Sequence, residues 1–404
     1  MKGKQGMVCM GLLLVLSSCH TGKQITASGL QRKDFQTEVN GQHTDLFTLS
    51  NKQGMEVCIT NYGARVVSIL VPDRNGKRED VVCGFSTITE YMEQRQNFGS
   101  TVGRYIGRIL NARFTLDGVE YKLVPNNGKS GHISHGGNPG FADRIWKMEQ
   151  ADTHRVCLSY LSPDGENGFP GNLKVTLVYS LGEDDNALDL TYEATTDAPT
   201  VLNLSHHSFF NISGNFTKSV EDQQLWVDAD RFTPYDDKKC VTGEYLQVAG
   251  TPLDFRMPHA IGECIDADHP QLKVVNGYDH TWELNTKGDD TRPAAWVYDP
   301  ASGRKMEIFT TEPGMQIYTG NGLKGKMTGK GGIAYPFRSA VCFETMHFQD
   351  SPNHPDFLVL YSVRERSSVV IRFISLNNWC IRQLADVPIS GAIYAHTVIG
   401  ILVN

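Results

Sequence analysis

The stretch Arg113-Phe114-Thr115-Leu116-Asp117-Gly118-Val119-Glu120-Tyr121-Lys122-Leu123 reads as a β-hairpin. An Asp-Gly pair between two β-prone runs supplies the left-handed backbone that a two-residue hairpin turn requires. The same punctuation recurs outward in both directions. Leu46–Leu49, Val57–Thr60 and Arg65–Val71 are β-prone, and Pro72-Asp73-Arg74-Asn75-Gly76 makes a turn. Further strands are expected at Val156–Tyr160, Lys174–Ser180, Ala187–Ala194, Leu225–Ala229, Ala294–Tyr298, Lys305–Thr310, Met315–Thr319 and Ser339–Thr345. Helical periodicity does not outlast a turn or two except near Ile88–Gln94. Strands in succession without intervening helices imply antiparallel sheets packed face to face. No internal repeat and no low-complexity linker divides the chain. The expectation is an all-β protein whose 404 residues hold one large sandwich domain.

The ends differ from this pattern. Lys2 and Lys4 precede an apolar run from Met7 to Leu16, followed by Leu16-Ser17-Ser18-Cys19. The run is too short to span a bilayer and suits the apolar region of a secretory signal. Small residues before a cysteine resemble a bacterial lipobox. Residues 1–18 are therefore read as a lipoprotein signal peptide, with Cys19 lipidated and the protein on the periplasmic side of the membrane. The alternative is an ordinary signal with an incidental cysteine. Residues 19–33 are polar and aperiodic and read as a tether, with the folded domain over 34–357. Net charge is −7 and the basic residues are scattered, so nucleic acid is excluded as a partner. Of nine cysteines, Cys9 and Cys19 precede the domain. The remaining seven include no Cys-x-x-Cys pair, which argues against structural zinc, and their odd number leaves at least one unpaired within the chain. Several lie in apolar runs and read as buried thiols.

Four places concentrate polar groups that a solvated surface does not need. In Gly103-Arg104-Tyr105-Ile106-Gly107-Arg108, one arginine could reach a cleft while the other is structural or superficial. In His132-Ile133-Ser134-His135-Gly136-Gly137, the paired glycines allow a sharp bend after His135, and His132 is expected to be a solvated loop residue. In Asn203-Leu204-Ser205-His206-His207-Ser208-Phe209, strand alternation lets only one of the two histidines line a cleft. A histidine there titrates in the range useful for proton donation near neutral pH. Finally, Asp279 and Glu344 are carboxylates on apolar strands. Glu344, after Val341-Cys342-Phe343, is costly to bury unless it is paired or used.

Taken in order, these stretches resemble the aldose 1-epimerase (galactose mutarotase) family. The likeness runs from Tyr62-Gly63-Ala64 to Pro352-Asn353-His354-Pro355. It passes through Asp80–Phe85, the Gly-Arg-Tyr…Arg-Ile loop, His135-Gly136-Gly137, Leu204–Asn211, Phe232-Thr233-Pro234, Gly250–Arg256, Gly277-Tyr278-Asp279-His280, Pro313–Asn321 and Phe343-Glu344-Thr345. The resemblance implies a galactose-mutarotase-type β-supersandwich that interconverts the anomers of a free aldohexose. It implies His207 as acid and Glu344 as base. It also implies sugar contacts from Arg108, His135, Asp279 and Gln316, with Ser208 and Phe209 lining the site and no metal or other cofactor. His206 then faces away.

Two positions depart from the family. Gly107 stands where asparagine is common, which removes one hydrogen bond to the sugar, and Phe209 stands where tyrosine is common. The likeness also fails after Phe357: residues 358–404 are expected to be a divergent or frame-shifted tail, with Val369–Ile374 a candidate for the last strand. Two other classes compete. One is a sugar-binding protein without catalysis. The other is a glycoside hydrolase using Asp279 and Glu344, which leaves His207 idle.

Overall fold

A computed structural model describes residues 25–357 and the backbone of four further strands, Tyr361–Ser362, Ser368–Arg372, Ala392–Ala395 and Thr397–Val403. The signal segment and Cys19 lie outside the described residues, as does most of the tail.

The hairpin around Asp117-Gly118 forms as the Asp-Gly pair dictates. Arg113–Leu116 pairs with Val119–Lys122, Leu116 opposite Val119, and both turn residues take positive φ, 51° at Asp117 and 79° at Gly118. The long strands follow the same logic of alternation. Leu173–Leu181 buries Leu173, Val175, Leu177, Tyr179 and Leu181 while the residues between them meet solvent to varying degrees. By contrast Glu56–Thr60 is buried along its whole length, and so is Arg65–Pro72 up to its last residue. These strands are covered on both faces.

Three sheets do most of the work. An 11-stranded sheet runs through Lys147–Ala151, Arg155–Ser162, Leu173–Leu181 and Ala187–Thr196, and on its other wing through Arg304–Thr310, Ala295–Tyr298 and Gln224–Val227. A four-stranded sheet comprises Leu46–Ser50, Glu56–Thr60, Arg65–Pro72 and Arg78–Asp80. A six-stranded sheet contains Asp279–Glu283, Gly314–Tyr318 and Val341–Met346 side by side. One core cluster joins all three: Val57 and Val66, Leu177 and Leu190, Ile317 and Phe343 belong to it. Strands dominate throughout, and the described residues include two α-helices, Ile88–Gln94 and Pro270–Val275. The first has a Thr87 capping box with Glu90. The chain is a single-domain all-β protein of the expected architecture.

Within the tail, Ser368–Arg372 pairs antiparallel with Ala187–Thr196, and Thr397–Val403 lies between that strand and Arg304–Thr310.

Candidate functional site

Alternation on the six-stranded sheet sorts its residues between core and cleft. On Val341–Met346, Val341 and Phe343 enter the main core, while Cys342 and Glu344 project from the opposite face. Glu344 stands directly across from Gln316, whose other strand neighbour is Thr281. Asp279 is at the start of the adjoining strand, and its Oδ1 accepts from Gln316 Nε2 at 2.6 Å. Three strands thus present Asp279, Gln316 and Glu344 to one cavity of ≈ 240 Å³.

The other wall comes from the loops. Arg108–Ile109 pairs with Ile133–Ser134, which brings His135 beside Arg108. His135 has φ 52°, and a β-carbon at Gly136 would lie 2.0 Å from the Gly103 carbonyl oxygen, so only glycine permits this bend. The Gly107 N–H donates to His135 Nδ1 at 3.4 Å, leaving Nε2 as the ring's N–H. Burial, followed by the nearby Arg108 charge, lowers the His135 pKa to about 4. The ring is therefore a neutral hydrogen-bond donor at physiological pH. Arg108 Nη1 donates to the Lys239 carbonyl at 3.1 Å and lines the same cavity. Arg104 is the structural arginine: it is buried and donates to the carbonyls of Pro170 and Gly171 and to Ser162.

His207 completes the site. Its strand, Ser205–His207, pairs with Ser100–Val102. His207 faces the cavity, and its ring stacks on Phe209 at 5.0 Å between centroids. His206 turns to the opposite side, 6.1 Å from the Tyr179 ring, deep in the protein. His207 Nε2 lies 3.3 Å from Glu344 Oε1, and its Nδ1 lies 3.6 Å from Cys342 Sγ. Both side chains of the pair are nearly inaccessible, at 7% and 5%. Burial pushes His207 well below its ordinary pKa, helped by the neighbouring His135. Burial also pushes Glu344 well above its own, helped by Asp279. Each shift favours the neutral form of its group, and the short contact favours the ion pair. The two states are tautomers holding one proton between them.

Ser208 is corrected by this geometry. Its neighbours His207 and Phe209 both line the cavity, so Ser208 points the other way, buried and with its hydroxyl unpartnered. His132 is corrected too. It is buried, its Nδ1 accepting from the Asn111 N–H at 2.9 Å and its Nε2 lying 3.2 Å from Cys240 Sγ. With both ring nitrogens partnered, the imidazole has no need of water. Gln96, Asn97, Tyr318 and Gln349 also line the cavity and had no signal in sequence periodicity. Six cysteines of the described residues are free thiols. One of them, Cys342, joins His207 and Glu344 in placing sulfur, nitrogen and oxygen ligand atoms within 4.8 Å of one another. A soft divalent ion would fit this donor set, but it would engage both members of the His207–Glu344 pair.

The arrangement is a neutral donor, an anchored cation, two carboxylates and an imidazole converging on a small polar cavity. Solved structures share its fold. A GalM/aldose epimerase homologue from C. elegans superimposes with a TM-score of 0.76 at 27% identity, covering 89% of this chain and 100% of that one. The galactose 1-epimerase from Lactobacillus acidophilus NCFM gives 0.72 at 25% identity, covering 91% and 96%. In sequence the chain is 40% identical to the galactose mutarotase of Bos taurus over 312 residues, which is 77% of this chain and 87% of that protein. It is 36% identical to the aldose 1-epimerase of Escherichia coli K12 over 318 residues, covering 79% and 90%. The aldose 1-epimerase family model matches residues 45–373, so the chain is a member of the aldose 1-epimerase family.

Proposed function

We propose that the protein interconverts the α and β anomers of free aldohexoses such as glucose and galactose, with His207 and Glu344 moving the protons. The supporting observation is the 3.3 Å approach of His207 Nε2 to Glu344 Oε1 at the base of the cavity. In a hemiacetal, the C1 hydroxyl and the ring oxygen are bonded to the same carbon. An acid and a base serving them must therefore converge on neighbouring atoms, as this pair does.

Glu344, ionised, takes the proton of the C1 hydroxyl while His207, protonated, gives one to the ring oxygen. The C1–ring oxygen bond breaks and C1 becomes an aldehyde. After rotation about C1–C2 the ring closes on the other face of the carbonyl, with His207 accepting and Glu344 returning a proton. The pair starts and ends with one proton, so the cycle balances. Arg108, His135 and Asp279 hold the remaining hydroxyls during the rotation. Gln316 lines the cavity and orients Asp279, its amide donating to that carboxylate, in place of the direct sugar contact that the resemblance implies. Phe209 supplies an apolar face under the His207 ring, and the buried Cys342 thiol fixes the imidazole's other nitrogen.

Equilibration of α-D-glucose and α-D-galactose, followed by polarimetry beside a glycosidase assay, tests this reading. Acceleration of anomer exchange without release of sugar from glycosides is expected. Glycoside cleavage, or binding without exchange, would replace it. We also propose export as a lipoprotein anchored through Cys19 and facing the periplasm, supported by the apolar run Met7–Leu16 and the Leu16-Ser17-Ser18-Cys19 motif. Cys19→Ala should move the protein from the membrane fraction to the soluble one. A Cys19→Ala protein that stays with the membrane removes the anchor.

A further inference from the structure

Gly107 and Gln349 occupy one space. Gly107 has φ 76°, and a β-carbon added to it would lie 2.5 Å from Gln349 Cγ and 3.2 Å from Gln349 Oε1. Any side chain at 107 would claim the volume that Gln349 fills. The segments carrying them are fastened together. The Asp350 N–H donates to the Arg108 carbonyl at 2.9 Å, and the Leu110 N–H donates to Asp350 Oδ1 at 3.0 Å. Residues far apart in the chain are thus one unit at the edge of the cavity.

The Gln349 carboxamide cannot rotate freely. Its Nε2 donates to the Tyr235 hydroxyl at 2.7 Å and to Gln316 Oε1 at 3.2 Å, which uses both N–H bonds. Its Oε1 accepts from the Arg108 N–H at 3.3 Å. An amide oxygen has two lone pairs, so one is left on a group that lines the cavity. Gln316 has no such capacity. Its N–H bonds go to Asp279 and Tyr235, and its oxygen accepts from Thr281 and Gln349.

We infer that Gln349 Oε1 accepts a hydrogen bond from a ring hydroxyl of the bound sugar, and that the Gly107–Gln349 pair sets which hydroxyl is read beside Arg108. The inference rests on the cavity being the aldose site. Gln349 makes good, from a distant segment, the hydrogen bond that glycine at 107 takes away. A residual acceptor demands a donor, so a bound sugar lacking that hydroxyl leaves the lone pair without its partner.

The test is calorimetric binding and steady-state kinetics with D-glucose, D-galactose and their monodeoxy analogues. Gln349→Ala should raise Kd and KM about threefold to tenfold, the size of one neutral hydrogen bond. Its kcat should stay within about twofold, because the contact is equal in ground and transition states. One deoxy sugar should cost the wild type this same factor and cost Gln349→Ala nothing further. Gln349→Met, which keeps the bulk without the oxygen, should match Gln349→Ala and guards against a collapsed site. Gly107→Asn should bind more weakly than either, and adding Gln349→Ala to it should recover affinity. Unchanged Kd for every sugar in both Gln349 variants overturns the inference, and so does a set of deoxy sugars that penalise variant and wild type alike. If the wild type binds sugar without exchanging anomers, the proposed activity fails while the Kd series still decides this contact. A wild type that binds neither hexose overturns both.

Discussion

His206 and His207 are bonded neighbours on one short strand, both buried and both pushed by burial toward the neutral form, yet they have opposite fates. His207 looks into the cavity, 3.3 Å from a carboxylate that can exchange a proton with it. His206 looks into the packed interior beside Tyr179, and its Nε2 has no hydrogen-bond partner. The same desolvation acts on each imidazole. What separates them is access to a partner that titrates, and one step along a strand decides that. A depressed histidine pKa by itself therefore marks burial, and chemistry needs the second group.

The largest expected effect breaks the pair on the cavity side. Glu344→Gln keeps the shape and loses the proton acceptor, so anomer exchange should fall by about two to four orders of magnitude with sugar binding largely spared. His207→Asn should do the same. A Glu344→Gln enzyme with more than a tenth of wild-type turnover would remove Glu344 from the base role, and equal losses in His206→Asn and His207→Asn would erase the distinction between the two faces.

The pH profile sharpens the comparison further. In the proposed mechanism only the singly protonated pair is active. Acid converts it to the doubly protonated form by charging His207 beside neutral Glu344, which burial resists, so the acid limb should lie below the ordinary imidazole value of about 6.5. Base removes the last proton from Glu344, which burial also resists, so the alkaline limb should lie above the ordinary carboxylate value of about 4.3. Burial therefore moves the two limbs in opposite directions and broadens the range over which the pair holds one proton. A rate of exchange that is already half lost above pH 6.5 as acid is added would contradict it.

Much of this was legible beforehand because it depends on local rules. The Asp117-Gly118 turn, the capped helix Ile88–Gln94 and the alternating strands can all be read from spacing alone, with ends shifted by a residue or two. Lys147–Ala151 escaped because every residue of this edge strand is exposed, so no alternation betrays it. The short helix Pro270–Val275 offers less than two turns of periodicity. Order within the sheets depends on partners far apart in sequence and has no local signature. The site divides in the same way. Alternation separates His206 from His207, and the resemblance points to Glu344, but alternation also turns Ser208 away from the cavity where the resemblance had placed it. His132 reads as solvated because nothing nearby in sequence announces Asn111 and Cys240 as partners. Gln349 was invisible for the same reason: its meaning lies in the empty space at Gly107, visible only once the two segments meet.

The smallest effect concerns the core-facing histidine and is read in stability rather than rate. Burial lowers the His206 pKa to about 3, while an unfolded chain binds its proton near 6.5. Above 6.5 neither state is protonated there, and the group makes stability independent of pH. As pH falls below 6.5 the unfolded state gains a proton that the folded state refuses, so stability declines by about 1.4 kcal/mol per pH unit for this one group until pH nears 3. His280, lowered by burial to about 3, adds a parallel decline, as does His135 down to about 4. His206→Asn should remove one share of that slope while leaving turnover at neutral pH little changed, because the side chain faces the packed interior rather than the cavity. Denaturant unfolding of the two proteins between pH 6 and pH 4.5 measures the difference directly. The asparagine variant starts from its own neutral-pH stability and should lose less on acidification than the wild type. Parallel declines in the two proteins would mean that His206 takes up its proton inside the folded protein. The two faces of the strand would then differ less in solvation than their packing implies.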